Sequence, residues 1–263
     1  MLELLTPEEK SYIIGFLQGD GSHSESTRNR GKVSIELSSR DVDILDKIDN
    51  VLSKHVNVLR SKRQRDTNFK KNHISSTLCI HDFGFRKEIT KDVPLGYKTD
   101  IVKPPSWVVE NDRHYIRGYF EADGSLGFKG TGEPFWSLFL KSDELKRYVL
   151  SSIEKTVGIV KNINRNKRDN AYNLGLSNEN AMLYSKWLYS NASLYLNRKL
   201  RISEEMQNWI RVKKVGNRKR TWLNDENNIA LSDLSVEEKS KKLGRSIKSI
   251  KSRIWRLKRY NKK

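Results

Sequence analysis

Cysteine is almost absent from this chain: Cys79 is the only one in 263 residues. That excludes an internal disulfide framework and any cysteine-rich zinc site. Long apolar runs are missing too, since no stretch approaches the ~18 residues of a membrane-spanning helix. Met1 to Lys10 also lacks the basic-then-apolar order of an export signal. These absences lead us to expect a soluble, intracellular protein that needs no membrane, with the compartment unspecified. Acid is the third scarcity, with 32 Asp and Glu against 51 Lys and Arg, giving a net charge of +19 and a pI near 9.9. Such an excess suits a polyanion, because neutralised phosphates release their condensed counterions. Ribosomal, membrane-surface and DNA-binding proteins share that property, so charge alone does not choose among them. The 36% hydrophobic content is enough for one large domain or two or three small ones.

One segment occurs twice, as Tyr12-Ile-Ile-Gly-Phe-Leu-Gln-Gly-Asp-Gly-Ser22 and Tyr115-Ile-Arg-Gly-Tyr-Phe-Glu-Ala-Asp-Gly-Ser125, with Asp20 and Asp123 offset by 103 residues. A repeat this long implies two whole folding units related by approximate two-fold symmetry, unlike the ~20–50-residue periods of solenoids. Gly15 and Gly19, like Gly118 and Ala122, lie at i and i+4 and share one helix face, where small residues let two helices pack at backbone distance. The two aspartates fall at helix C-terminal ends, with Gly21 and Gly124 expected to turn the chain out in a left-handed conformation. Carboxylates there oppose the helix dipole and repel each other, so a cation is expected to compensate. A hard divalent ion held by one or two carboxylates, substrate phosphate and water fits that need.

On Ile13–Gly21 and Ile116–Gly124, the chain resembles the LAGLIDADG homing endonucleases of the single-chain, two-motif kind, over roughly residues 8–212. The resemblance implies an α+β fold: two pseudo-symmetric αββαββα halves whose four-stranded antiparallel sheets form a saddle over DNA. It also implies a monomeric, site-specific endonuclease making metal-dependent double-strand cuts with short 3′ overhangs. Asp20 and Asp123 would be catalytic and would hold Mg²⁺, or Mn²⁺ in its place, together with Gly19 and Ala122; no organic cofactor is implied. Gln18 and Glu121 stand where the motif usually has its first acid, and Glu121 could add an acid near the metals. Glu36 and His81, with Ser177 opposite His81, are the expected polar surroundings. Two other readings come with the fold, an intron RNA maturase and a non-cleaving DNA-binding regulator. Two acids placed beside phosphates argue against the regulator. An intein setting is not expected, because Met1 stands directly before the first motif.

The pattern of elements fits this organisation. Thr6, Pro7 and Glu9 read as a cap, first turn and capping box for a helix to about Gly19. Residues 31–38 alternate, with Val33, Ile35 and Leu37 on one side and Lys32, Ser34, Glu36 and Ser38 on the other. Helices are expected at 41–52 and 83–89, and strands near 22–26, 57–65 and 74–81. The second half repeats this order, with strands at 125–129, 135–141, 159–168 and 171–177 and helices at 143–156, 179–190 and 203–212. The domains are then residues 1–98, a proline-bearing linker 99–113, and residues 114–214. Basic side chains on exposed strand positions are the expected DNA contacts: Arg28, Arg30, Lys32, Arg60, Lys62, Arg63, Arg65, Lys161, Arg165 and Arg168.

Residues 217–263 form a separate basic unit with enough apolar residues for a small all-α three-helix domain, with helices expected at 221–231, 235–243 and 246–260. Trp222, Glu226, Leu243-Gly244-Arg245-Ser246, Ile250, Arg253 and Leu257 resemble Myb/SANT-like helix-turn-helix domains. That resemblance implies DNA contact by Arg245, Lys248, Lys251 and Arg253.

Overall fold

The computed structural model describes residues 1–25, 30–66, 71–109, 112–211 and 222–260. The chain divides into two compact units, Met1–Arg211 and Val212–Lys263.

In the first unit, α1 (Pro7–Gly19) begins as its sequence dictates. The Thr6 hydroxyl accepts from the Glu9 amide while the Glu9 carboxylate accepts from the Thr6 amide, a complete capping box with proline in the first turn. Next come β1 (Gly21–Glu25), β2 (Gly31–Ser38), α2 (Val42–Leu52), β3 (Val58–Arg65), β4 (His73–Ile80) and α3 (Phe83–Ile89). The four strands form one antiparallel sheet in the order β1-β2-β4-β3. After a connection comes α4 (Arg113–Asp123), capped by Asp112, followed by β5 (Gly124–Phe128), β6 (Pro134–Leu140), α5 (Asp143–Val157), β7 (Tyr172–Ser177), α6 (Glu179–Tyr189) and α7 (Asn197–Gln207). The second sheet has three antiparallel strands, β5-β6-β7.

The expected strand at 159–168 is therefore not formed. Ile159 and Ile163 pack against the second core while Val160 is exposed, so the segment buries its apolar side without pairing as a strand. The segment touches β7 through the Lys161 Nζ, which donates to the Gly175 carbonyl; one backbone bond, Asn166 N to Ala171 O (2.8 Å), closes the turn. The helix expected at 203–212 starts earlier, at Asn197. Carboxylates from elsewhere hold its first amides: Glu121 takes Leu196 N and Asp43 takes Asn197 N, each at 2.8 Å.

Each half builds its own core beneath its sheet, and α1 packs along α4 between them. The contact is a backbone one. A Cβ added at Gly15 or Gly118 would fall inside 3.0 Å of the Tyr115 or Tyr12 carbonyl oxygen of the opposite helix, and one at Gly19 would meet the Ala122 Cβ. Gly21 and Gly124 differ from expectation. Gly124 is extended (φ −100°), and Gly21 is not among the positive-φ glycines. Glycine is required there because a Cβ would collide with Leu17 or with the Phe120 ring and carbonyl.

The second unit contains α8 (Asn224–Leu231), α9 (Val236–Leu243) and α10 (Ile247–Tyr260), with α10 touching both others. Ser235 closes a capping box on Glu238, and Gly244, at φ 56°, ends α9 in a left-handed cap. The expected start at Thr221 lies outside the described residues. No helix among the described residues is long and apolar enough to cross a membrane.

Candidate active site

Asp20 caps the C-terminal end of α1, and Asp123 is the last residue of α4. Because the glycine faces bring the two helices together, both carboxylates open into one cavity of about 490 Å³, also lined by Glu36, Asp41, Glu121, Ala122 and Arg198. Asp123 is held over the opposite helix: its Oδ2 lies 3.5 Å from where a Gly19 Cβ would sit, and the Tyr119 phenol donates to it. Burial, with the charge of Asp123 next, pushes Asp20 up to about 6. Burial also raises Asp123, against the opposing charges of Lys98 and Lys199.

Those two lysines were not expected from the sequence, and they are related by the same pseudo-symmetry. Lys98 Nζ donates to the Gly19 (3.2 Å) and Gly21 carbonyls at the end of α1. Lys199 Nζ donates to the Phe120 and Glu121 (2.9 Å each) and Gly124 (2.7 Å) carbonyls at the end of α4. Each ammonium thus neutralises the negative end of one motif helix. Burial lowers both amines, Lys199 to about 8. Their spacing was the available signal: each stands nearly the same distance after its motif aspartate, 78 and 76 residues.

The donor set is hard oxygen. No cluster of three or more His, Cys, Asp or Glu side chains poised for a metal occurs among the described residues. Two carboxylates opening into one cavity fit an open site for a hard divalent cation such as Mg²⁺, which completes its shell with water and other oxygen ligands. Asp20 and Asp123 would hold it. Gly19 offers a carbonyl that already accepts from Lys98.

The other expected residues divide. Glu36 lines the cavity and accepts from Ser75 Oγ (2.6 Å) and Arg65 Nη2 (3.1 Å). Asp41, beside it, receives both Arg198 guanidinium donors. Burial works to raise its carboxyl, but those bonds bring it below the usual value. His81 lies elsewhere. It sits where β2 and β1 reach their far end, its Nδ1 3.0 Å from the Gly31 carbonyl, and lines a different hollow with Arg30 and Lys32. Ser177 accepts from Lys129 at 3.2 Å and lies in a third hollow. Gln18 and Glu121 are both buried, so neither presents an acid freely to solvent.

Among the expected DNA contacts, Arg30, Lys32, Lys62, Arg63 and Arg65 are exposed. Arg60 is turned the other way, against α2, where it meets Asp46 (2.9 Å) and Asp49 (3.4 Å). Strand alternation requires this: Arg60 lies across from Leu78, whose neighbour Ile35 is in the core, whereas Ser61, Arg63 and Arg65 share the face of Glu36. Arg165 is committed to Asp143, Tyr172 and the Lys141 and Asn170 carbonyls, whereas Arg168 is exposed beside Asp169. In the second unit, Arg245 is buried against Glu226 (2.7 Å) and the Trp222 ring, and Arg253 donates to Asn227 (2.9 Å). Lys248 and Lys251 remain on the exposed face of α10. Arg28 lies outside the described residues.

Searches against protein-family models and against curated proteins found no match. Among solved structures, the chain is similar to the homing endonuclease I-WcaI bound to its DNA recognition sequence, at 16% identity and a TM-score of 0.55, over 76% of this chain and 87% of that one. The LAGLIDADG homing endonuclease I-GzeII, in complex with its DNA target, aligns at 12% identity with a TM-score of 0.49 over 75% and 88%. At 16% identity the likeness to I-WcaI establishes a shared fold.

Proposed function

We propose that this chain is a site-specific, metal-dependent DNA endonuclease that cuts both strands. One observation carries the reading: two aspartates, one per half, converge from the ends of tightly packed helices on a single cavity, each beside a lysine. A protein that only binds DNA gains nothing from placing carboxylates beside phosphates. A pair of acid–lysine sets matches the two scissile phosphates of a duplex. The structural neighbours, one described as bound to its recognition sequence, support the same reading.

In this reading Asp20 and Asp123 hold Mg²⁺, which when bound stabilises charge on the phosphates and on the attacking and leaving oxygens. Lys98 and Lys199, each tied to the carbonyls at the end of one motif helix, add positive charge behind the carboxylates and act through that field. Glu36 restrains Arg65, and Arg63 and Arg65 face the backbone. The two sheets would form the saddle on which the duplex lies, and cleavage would leave short 3′ overhangs by a monomer. The test is cleavage of a supercoiled target library with Mg²⁺, followed by sequencing of the ends. A wild-type chain that binds duplex DNA and never cuts would move the reading toward the regulator or an RNA partner.

The second unit is proposed as an appended DNA-binding module of helix-turn-helix type, with α10 toward the groove. Only Lys248 and Lys251 of the four expected residues face outward, so Lys251→Ala is expected to weaken duplex binding and reduce the log–log salt slope by about 1. Arg245→Ala is expected to act on folding instead. It leaves Glu226 buried without its main cationic partner, at a cost of roughly 3 kcal/mol. Salt-titrated binding and thermal unfolding of the full chain separate the two.

A further inference from the structure

The residue two places before each motif aspartate is Gln18 in one half and Glu121 in the other, and the fold uses both in the same way. Gln18 Nε2 donates to the Asp92 (2.6 Å) and Lys103 (3.0 Å) carbonyls, which bracket Lys98. Glu121 Oε2 accepts the Leu196 amide (2.8 Å), three residues before Lys199. Each also takes a phenol from the opposite helix: Tyr115 Oη donates to Gln18 Oε1, and Tyr12 Oη to Glu121 Oε2. Tyr12 and Tyr115 are themselves equivalent positions of the repeat. Both lysine segments run between the two cores. Val93 lies in the first core and Val102 in the second; Leu196 lies in the first and Met206 in the second.

We infer that Gln18 and Glu121 are positioning residues, each fixing the segment that delivers one lysine to the carbonyls at the end of one motif helix and each set in place by a tyrosine from the other half. The inference rests on the endonuclease reading for its catalytic consequence, but not for the anchoring itself. It also explains why the two positions differ chemically. The first segment presents carbonyls and needs a donor, hence an amide. The second presents an N–H, alongside the Tyr189 phenol at 2.8 Å, and needs an acceptor, hence a carboxylate. Other anchors exist on the first segment, such as His23 Nδ1 at 2.7 Å from the Val93 carbonyl, but none reaches both of its ends.

The experiment compares Gln18→Glu, Gln18→Ala, Glu121→Ala and Tyr12→Phe with the wild type in the full chain, by two readouts. Amide hydrogen exchange read by mass spectrometry should rise in peptides covering 93–103 for the Gln18 variants, and in peptides covering 194–200 for Glu121→Ala and, more weakly, for Tyr12→Phe. Strand-resolved cleavage of a supercoiled target should slow ~10–100-fold on one strand with the Gln18 variants and on the other with Glu121→Ala, leaving nicked circles. Gln18→Glu should match or exceed Gln18→Ala, since a carboxylate facing two carbonyls repels them. Exchange that rises in both segments together, or in neither, overturns the inference, as does equal slowing of both strands. If the wild type never cuts, the endonuclease reading fails, while the exchange data still decide the anchoring. If Glu121→Ala does not fold, Tyr12→Phe, which removes one oxygen, decides the second segment.

Discussion

Asp20→Asn is expected to abolish double-strand cleavage and, in the same protein, to raise the melting temperature. The catalytic loss should be on the order of 10³-fold or more, because the amide keeps the shape of the side chain but removes the charge that would hold a divalent ion beside the phosphate. Asp123→Asn should do the same for the other strand, and duplex binding should survive in both. Stability moves the opposite way. Burial and the neighbouring Asp123 raise Asp20 to about 6, so the fold favours its protonated form. Between the ordinary value of 3.8 and about 6 the folded chain binds more protons than the unfolded one, and stability falls as pH rises through that window. Asparagine removes this loss. Since the side chain opens onto solvent, the gain is screened to ~1 kcal/mol or less, a rise of roughly 2–4 °C. Calorimetry at pH 4 and pH 7.5 checks the sign, because the variant should gain over wild type only at the higher pH. Metal affinity follows the same group: below pH ~6 protons compete for the carboxylate, and Mg²⁺ binding should weaken about tenfold per unit.

Gly118→Val should prevent the first unit from folding cooperatively. A Cβ at Gly118 would fall inside 3.0 Å of the Tyr12 carbonyl and near the Phe16 amide, both backbone atoms that have no rotamer to escape into. The helices must move apart, which opens the interface along its length and separates the two carboxylates. Overpacking into a soft core costs ~1–3 kcal/mol. Here the obstacle is a helix backbone, so a loss above ~4 kcal/mol is expected, with cleavage lost even where some folded protein remains. Gly130→Ala is the control, since nothing lies within 4 Å of its added Cβ. Circular dichroism melts of the two variants should differ by more than ~10 °C. Similar melts would mean that the close approach of α1 and α4 does not hold the unit together.

Much of this architecture could be read from local pattern. Thr6, Pro7 and Glu9 specify the start of α1, and the alternation around Val33 and Ile35 specifies β2, because capping and burial at these places need only neighbours in sequence. The glycine spacing specifies a close helix pair. Local pattern failed where the deciding partner is remote. The stretch 159–168 has strand-like residues and buries Ile159 and Ile163, yet it meets β7 through the Lys161 side chain in place of a backbone ladder. Arg60, Lys62, Arg63 and Arg65 read as one basic cluster, but alternation sends Arg60 to Asp46 and Asp49 on the helix side. Arg245 and Arg253 have the charge of groove contacts, but Glu226, Asn227 and Trp222 take them inward. Lys98 and Lys199 are not legible in the sequence because each lies in a segment with no motif of its own, and its role appears only when the chain returns to a helix end some seventy-odd residues earlier.

Leu194 and Leu196 belong to the second half in sequence but are buried in the core of the first, while Val102, which follows the first half, is buried in the second. The natural unit of inheritance is therefore not the half that the repeat outlines. A recombinant joining one half of this protein to a half from another would break at the connecting segment and leave each core short of a strap contributed by its former companion. Exchange of halves succeeds only if the straps travel with the cores they fill, so new target specificities would arise more readily by changing side chains on the strands than by shuffling halves.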